Sequence, residues 1–75
     1  MWNYRLVNGV DEESDERCII LAEVYYDDTK TPYGWCNATV TADSRDEAER
    51  VYAMMFDAFK HPILQPEDFT GDPYL

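Results

Sequence analysis

Carboxylates dominate the side chains of this sequence that could take part in chemistry. The chain has 16 Asp and Glu residues against 6 Lys and Arg, with two Cys and one His. Five of the acids fall within residues 11–16, where Asp11, Glu13 and Asp15 alternate as the ligands of a calcium loop do. Such a loop also needs Gly at its sixth position and a closing Glu at its twelfth, and this segment has neither. We therefore interpret it as an acidic hairpin turn.

The other reactive side chains form no recognisable catalytic or metal-binding pattern. Cys18 and Cys36 lack the spacing of zinc ligands, and His61 is the only histidine. Asp27 and Asp28 have the character of turn residues rather than of a carboxylate pair in a cleft. We expect no enzyme, no catalytic residues, no metal and no cofactor. The cysteines are expected to be free thiols, with one disulfide between neighbouring strands as the alternative.

The charge balance limits the partners that this chain can take. A formal net charge of -10 is combined with 45% apolar residues, so the chain has enough apolar content to fold and carries its charge on an ordered surface. Such a surface repels nucleic acid and anionic lipid and attracts basic surfaces. The sequence opens on a strand-like pattern rather than a signal peptide, and we expect a cytoplasmic protein.

Three segments have the pattern of β-strands: 2–8, 17–26 and 33–41. In the first, large apolar residues alternate with Asn3 and Arg5, as in a half-buried strand. The second is apolar on both faces except at Glu23, which predicts a central strand. A turn centred between Thr29 and Lys30 would place Tyr26 opposite Tyr33 and Val24 opposite Trp35.

After residue 41 the apolar period changes to that of a helix. Ser44 followed by Glu47 is a capping-box pattern, and Pro62 stops a helix near Lys60. Apolar residues at helical spacing predict the face that packs on the sheet: Ala48, Val51, Tyr52, Met55 and Phe59.

These elements predict an α+β fold: a three-stranded antiparallel β-meander with one C-terminal amphipathic helix on one face, in the order β-β-β-α. We expect a single domain of residues 1–69 with a frayed tail at 70–75. One helix covers one sheet face, so apolar residues such as Ile19, Leu21 and Tyr25, or the opposite set, should form a dimer or partner surface. The alternative is that the segment with Ile63, Leu64 and Phe69 folds over that face.

The sequence also resembles a family of small uncharacterised bacterial proteins. The resemblance is carried by Trp2-Asn3-Tyr4-Arg5, by Glu23-Val24-Tyr25-Tyr26-Asp27, and by a helix ending before Pro62-Ile63-Leu64. It spans roughly residues 2–69 and departs from the family pattern at 36–39. It implies a β-meander with a helix, and it brings no activity.

We therefore predict a small acidic protein-interaction module. Its partner is a protein with a basic surface, and in the sharper form of the hypothesis the module mimics nucleic acid and inhibits a nucleic-acid-binding protein. It is not expected to bind nucleic acid or a membrane. The alternatives are a protein whose acidity serves solubility and a small metal-binding regulator. We predict that the contact uses the following acids and aromatic side chains: Asp11, Glu12, Glu13, Asp27, Asp28, Asp46, Glu47, Glu49, Tyr25, Tyr26 and Trp35.

Overall fold

The computed structural model describes residues 1–11 and 13–69, and its elements follow the predicted order. They are β1 (Trp2–Val10), β2 (Arg17–Tyr26), β3 (Pro32–Asn37), α1 (Arg45–Asp57) and the 3₁₀ turns Ala58–Lys60 and Pro66–Asp68. The strands form one antiparallel sheet in the order β1-β2-β3. This confirms the α+β fold with three strands and a C-terminal helix. The third strand ends at Asn37, four residues earlier than predicted, and the expected tail at 70–75 lies outside the described residues.

The pairing of β2 with β3 differs from the predicted register by one residue at the turn itself. Val24 faces Trp35 as predicted, but Tyr26 faces Pro32 rather than Tyr33, and the register shifts between Tyr25 and Tyr26. The turn closes as a hydrogen-bonded loop in which Lys30 has a φ of 63°. The irregularity adds one residue to β3 next to the turn, so the predicted pairing holds from Tyr25 onward, including Val24 with Trp35.

The buried cluster of the sheet is closed by the C-terminal segment. Its members are Val7, Ala22, Val24, Trp35 and Phe69, with Ile20, Tyr26 and Leu64 packed against it. Phe69 thus packs on the apolar face, in agreement with the alternative prediction that the C-terminal segment folds over the sheet. Ile63 of the same segment stays exposed. On the opposite face of the sheet, Ile19 remains 53% exposed. The prediction that one set of β2 side chains would be left uncovered is correct at this residue.

The segment after the helix also lines the outer edge of β1, which the sequence pattern did not predict. Leu64 forms a parallel bridge with Val7. The Asn8 N–H donates to the Leu64 carbonyl at 2.8 Å, and the Leu64 N–H donates to the Leu6 carbonyl at 2.9 Å. The Arg5 guanidinium donates to the Pro62 carbonyl at 2.7 Å beside this bridge. The segment therefore extends the sheet by a short parallel pairing.

The helix begins where the sequence predicts. Ser44 is the N-cap, and its hydroxyl accepts the Glu47 N–H at 3.2 Å. The Glu47 carboxylate accepts the N–H of Asp43 rather than that of Ser44, at 3.0 Å. Regular α-helix ends at Asp57, and the 3₁₀ turn carries the helical path on to Lys60.

The predicted packing face of the helix is wrong at two positions. Met55 is buried, but Tyr52 and Phe59 are 62% and 59% exposed, and Ala58 is buried in place of Phe59. The helix and the turn after it pack against β1. The buried positions of this face are Met55 and Ala58, with Ala48 and Val51 half-buried in line with them, and the rings of Tyr52 and Phe59 lie outside this stripe.

Candidate partner-binding surface

The predicted acidic residues fall into three groups that the fold keeps apart. Asp11 and Glu13 lie in the β1–β2 turn, Asp27 and Asp28 lie in the β2–β3 turn, and Asp46, Glu47 and Glu49 lie in the first turns of α1. The two hairpin turns are at opposite ends of the ten-residue β2, so the strand separates them by about 30 Å along its length. Glu12 lies outside the described residues.

In the β1–β2 turn one carboxylate supports the backbone. Asp11 Oδ1 accepts the Glu13 N–H at 3.0 Å, and the Asp15 N–H donates to the Asp11 carbonyl at 2.8 Å. Asp15 has a φ of 59°, a left-handed conformation that Asp adopts more readily than most residues. Asp11 thus holds the turn, while the side chain of Glu13 is left exposed for an external contact.

In the β2–β3 turn Asp27 has the same structural role. Its Oδ1 accepts the Thr29 hydroxyl at 2.7 Å, the Thr29 N–H at 2.9 Å and the Thr31 N–H at 3.0 Å. The Thr29 hydroxyl contributes most to holding the pKa of Asp27 below its usual value, followed by the N–H of Thr31. Asp28 beside it is exposed.

At the start of α1 the three acids differ in their surroundings. Glu49 is paired with Arg45 at 3.3 Å across one helical turn, in a contact that is open to solvent. Glu47 is half-buried and bonded to Asp43 N–H, whereas Asp46 is exposed. Asp46 and Glu47 lie in the first turn, where the helix dipole favours negative charge, and Glu49 lies one turn further on.

The predicted aromatic anchors are less available than the acids. Trp35 is only 4% exposed and belongs to the core, so it is removed from the candidate surface. Tyr25 and Tyr26 are half-buried. The Tyr26 hydroxyl donates to Asn3 Oδ1 at 2.7 Å, and the Tyr25 hydroxyl lies 3.5 Å from Cys36 Sγ. That contact, with burial and the nearby negative charge of Glu23, raises the pKa of Tyr25 to about 12.

An exposed aromatic stripe along α1 and the 3₁₀ turn after it was missed by the sequence reasoning. It consists of Tyr52, Phe56 and Phe59, which are 62%, 68% and 59% exposed. The rings of Phe56 and Phe59 pack together with centroids 5.8 Å apart. The signal was present as a second set of apolar residues at i, i+4 and i+7, but it overlapped the stripe that was assigned to the sheet.

Cations neutralise little of the acidic surface. In the part of the chain that the structure describes, the carboxylates in ion pairs with Arg or Lys are Glu49, with Arg45, and Asp57, with Lys60 at 3.3 Å. The His61 imidazole lies 3.7 Å from the same Asp57 carboxylate. No charged residue in this part is buried. The negative charge is therefore carried on the outside of ordered elements.

The described residues offer no arrangement typical of catalysis or of metal binding. Among residues 1–11 and 13–69 no group of three or more His, Cys, Asp or Glu side chains is placed to hold a metal ion. Cys18 and Cys36 are free thiols, both half-buried. Within the same ranges, none of the helices has the length and apolar character needed to cross a membrane.

The fold and surface define a small α+β domain with an acidic exterior and an exposed aromatic helix face. Comparison with known proteins adds nothing to this class, since no family model, no curated protein and no solved structure matches the chain. The resemblance to small bacterial proteins therefore contributes nothing to the functional argument, which rests on the surface itself.

Proposed function

We propose that this protein is a non-enzymatic binding module that docks on a basic surface of a partner protein. The observation that supports it is the uncompensated charge. The chain carries a net charge of -10, and the ion pairs of the described part involve two of its carboxylates. A surface of this kind accelerates association with a positive patch and disfavours negative partners.

The separation of the acidic groups favours an extended basic surface over a compact one. The two hairpin turns stand about 30 Å apart along β2, close to the length of one turn of duplex DNA, about 34 Å. A groove that holds a nucleic-acid backbone has positive charge over such a span. Carboxylates at both ends of the sheet would then occupy positions that phosphates otherwise take, and the module would compete with nucleic acid.

The proposal is tested by capture followed by binding measurements on the purified partner. The tagged protein is immobilised, a cell lysate is passed over it at low salt, and bound proteins are eluted in salt steps and identified. The dissociation constant of the purified pair is then measured by calorimetry over a salt series and with competing duplex DNA or RNA. We expect affinity to fall as salt rises and nucleic acid to displace the module.

Charge reversals at three acids that make no side-chain hydrogen bond in the structure test the three groups separately. They are Glu13→Lys, Asp28→Lys and Asp46→Lys, one in each group. The control Glu67→Lys lies outside the groups and matches each single reversal in its change in charge. The triple variant should abolish binding without changing the circular dichroism spectrum, and the control should leave affinity within the range expected from net charge alone. An affinity that is indifferent both to salt and to the triple reversal would mean that the acidity only keeps the protein in solution.

A further inference from the structure

The early end of β3 leaves part of β2 without a neighbouring strand on one side. The ladder between the two strands ends with Ala22 opposite Asn37, the last residue of β3. One further bond follows, from the Ala38 N–H to the Leu21 carbonyl at 3.1 Å. Because β2 begins at Arg17, its first four residues lie beyond the end of β3 on the side away from β1.

The backbone of Ile19 faces this open side. In an antiparallel ladder the N–H and C=O groups of successive residues point alternately to the two neighbouring strands. The Leu21 carbonyl accepts the Ala38 N–H on the β3 side, so the N–H and C=O of Ile19, two residues earlier, point the same way. Asn8 lies opposite Ile19 and agrees with this direction, because its own N–H is bonded to Leu64 on the outer edge of β1. Within the described part of the chain no backbone group pairs with Ile19 on its open side.

The open stretch forms one wall of a groove that is apolar along its length and acidic at the turn. The groove has a volume of about 560 Å³ and lies between the beginning of β2 and the end of β3. Exposed Ile19 and half-buried Leu21 give it apolar side chains, and Asp11 and Glu13 of the β1–β2 turn give it two carboxylates. None of the described residues that line it is Lys, Arg or His, and the neighbouring cation Arg17 borders a separate cavity beside the C-terminal segment. Open backbone groups, apolar surface and negative charge therefore meet in one place.

We infer that an extended basic segment of the partner protein binds in this groove as an additional strand, in line with β3 and antiparallel to β2. The inference rests on the proposed function and names the contact by which the partner is held. Main-chain bonds to an open sheet edge are an established mode of peptide recognition. The added strand would pair with Ile19 and, by the same alternation, with Arg17. The open stretch of four residues is about 13 Å long, so a short segment fills it.

The surroundings of the groove specify the side chains of that segment. A residue directly opposite Ile19 has its side chain on the same face of the sheet as Ile19 and Leu21, which favours valine or a similar apolar residue there. At the end next to the turn, Asp11 and Glu13 favour lysine or arginine. A second copy of this chain is a poor occupant, because two chains of net charge -10 repel each other.

The test uses a synthetic probe, a short capped peptide in which lysine alternates with valine, and NMR spectra of the isotope-labelled protein. In the complex, hydrogen exchange of the Ile19 amide should slow by about tenfold or more, because its N–H becomes bonded. The Asp28 amide, at the other end of β2, is the control and should keep its exchange rate. An Ile19 amide that exchanges at an unchanged rate, or a peptide that does not bind at millimolar concentration, overturns the inference.

Methylated peptides separate strand pairing from attraction by charge. In the antiparallel arrangement the valine opposite Ile19 directs its N–H to β2, whereas the lysine N–H groups point away. Methylation of the valine nitrogens should therefore weaken binding by about tenfold or more, and methylation of the lysine nitrogens should leave the affinity nearly unchanged. If both methylated peptides bind as well as the parent, charge alone holds the peptide, and the inference fails while the proposed function stands.

Charge reversals in the protein locate the basic end of the segment. Glu13→Lys should weaken binding of the lysine–valine peptide more than Asp28→Lys, which makes the same change in charge at the other end of β2. Equal losses from the two variants would place the peptide outside the groove and overturn the inference. The proposed function fails by a different result, a captured partner whose affinity does not depend on salt, whether or not the peptide pairs with β2.

Discussion

Gly9 on β1 lies directly against the indole ring of Trp35 on β3. A Cβ atom at position 9 would stand 2.9 Å from Trp35 Cζ2 and 2.9 Å from Ile20 Cδ1, closer than carbon atoms pack. The buried tryptophan therefore occupies the space that a side chain at position 9 would need. This contact joins the two outer strands of the sheet through its core.

Gly9→Ala should consequently destabilise the protein by about 1–3 kcal/mol, as overpacking of a filled core does. The free energy of unfolding from urea titration is the measurement. Introducing Ile20→Val removes one of the two clashing carbon atoms, so the same glycine substitution should be less destabilising in that background. Equal losses in both backgrounds would show that Ile20 does not restrict the site.

Ser44→Ala should lower stability by about 1 kcal/mol, because the first turn of α1 loses the oxygen that accepts the Glu47 N–H. Chemical denaturation measures the loss. Ser14→Ala is a suitable comparison, since that hydroxyl accepts a longer bond of 3.4 Å from the Glu16 N–H in an exposed turn. If the two serines prove equally dispensable, the helix does not depend on its cap.

Met55→Ala and Phe59→Ala should differ sharply in their effects. Met55 is 5% exposed, and its truncation should cost about 2–5 kcal/mol. Phe59 is largely open to solvent, and its loss should change the stability of the monomer by less than about 0.5 kcal/mol. Thermal melts at low protein concentration make the comparison. A large loss of stability from both substitutions would instead agree with the packing face that the sequence pattern predicted, which contained both residues.

Acidification should weaken the β2–β3 turn through Asp27. Hydrogen bonds, first from the Thr29 hydroxyl, hold the pKa of this carboxyl below its usual value. Its contribution is therefore complete above the unfolded pKa of about 3.9 and is lost as pH falls through the lower folded value. The difference in stability between the wild type and Asp27→Asn should shrink as pH falls below about 4. Asp28→Asn is the control and should leave stability at neutral pH unchanged. If the stability difference between the wild type and Asp27→Asn stays constant as pH falls, the ionised Asp27 does not stabilise the turn.

Alkaline pH should act through Tyr25. The contact with Cys36 is the main cause that raises its pKa to about 12, so the folded state favours the neutral phenol. The resulting stabilisation is complete below the unfolded pKa of about 10 and is lost as pH rises towards 12. Burial raises the pKa of Tyr4 as well, so phenolate absorbance should show a late titration from which Tyr25→Phe removes one tyrosine. Cys36→Ala should move that titration to lower pH. An unchanged titration would show that Cys36 does not raise the pKa of Tyr25.

Local patterns in the sequence were sufficient for the order of elements and for much of the core. Alternation predicted the strands, the Ser44 cap and Pro62 bounded the helix, and a turn centred between Thr29 and Lys30 placed Val24 opposite Trp35. These features depend on residues close together in sequence. The sequence did not decide whether Trp35 lies in the core or on a binding surface, because an aromatic residue on a strand is common in both places.

Features that depend on contacts between distant segments were not predictable in the same way. The pairing of Leu64 with Val7 joins residues 57 positions apart and has no periodic signal. Two apolar stripes share α1, and only the approach of β1 decides which one is buried. The acidic residues were found individually, but their separation into three groups follows from strand length and topology.

The Leu64 bridge also has a consequence for the behaviour of the sheet towards other chains. A strand edge with open N–H and C=O groups invites a foreign strand to add to it, which is a common route to aggregation. Part of the outer edge of β1 is already taken by the chain itself. The opposite edge is formed by β3, which is six residues long and begins with a proline that has no N–H to offer. The fold thus discourages growth by strand addition beyond one short segment at the open stretch of β2, which is bounded by β3 and by a turn.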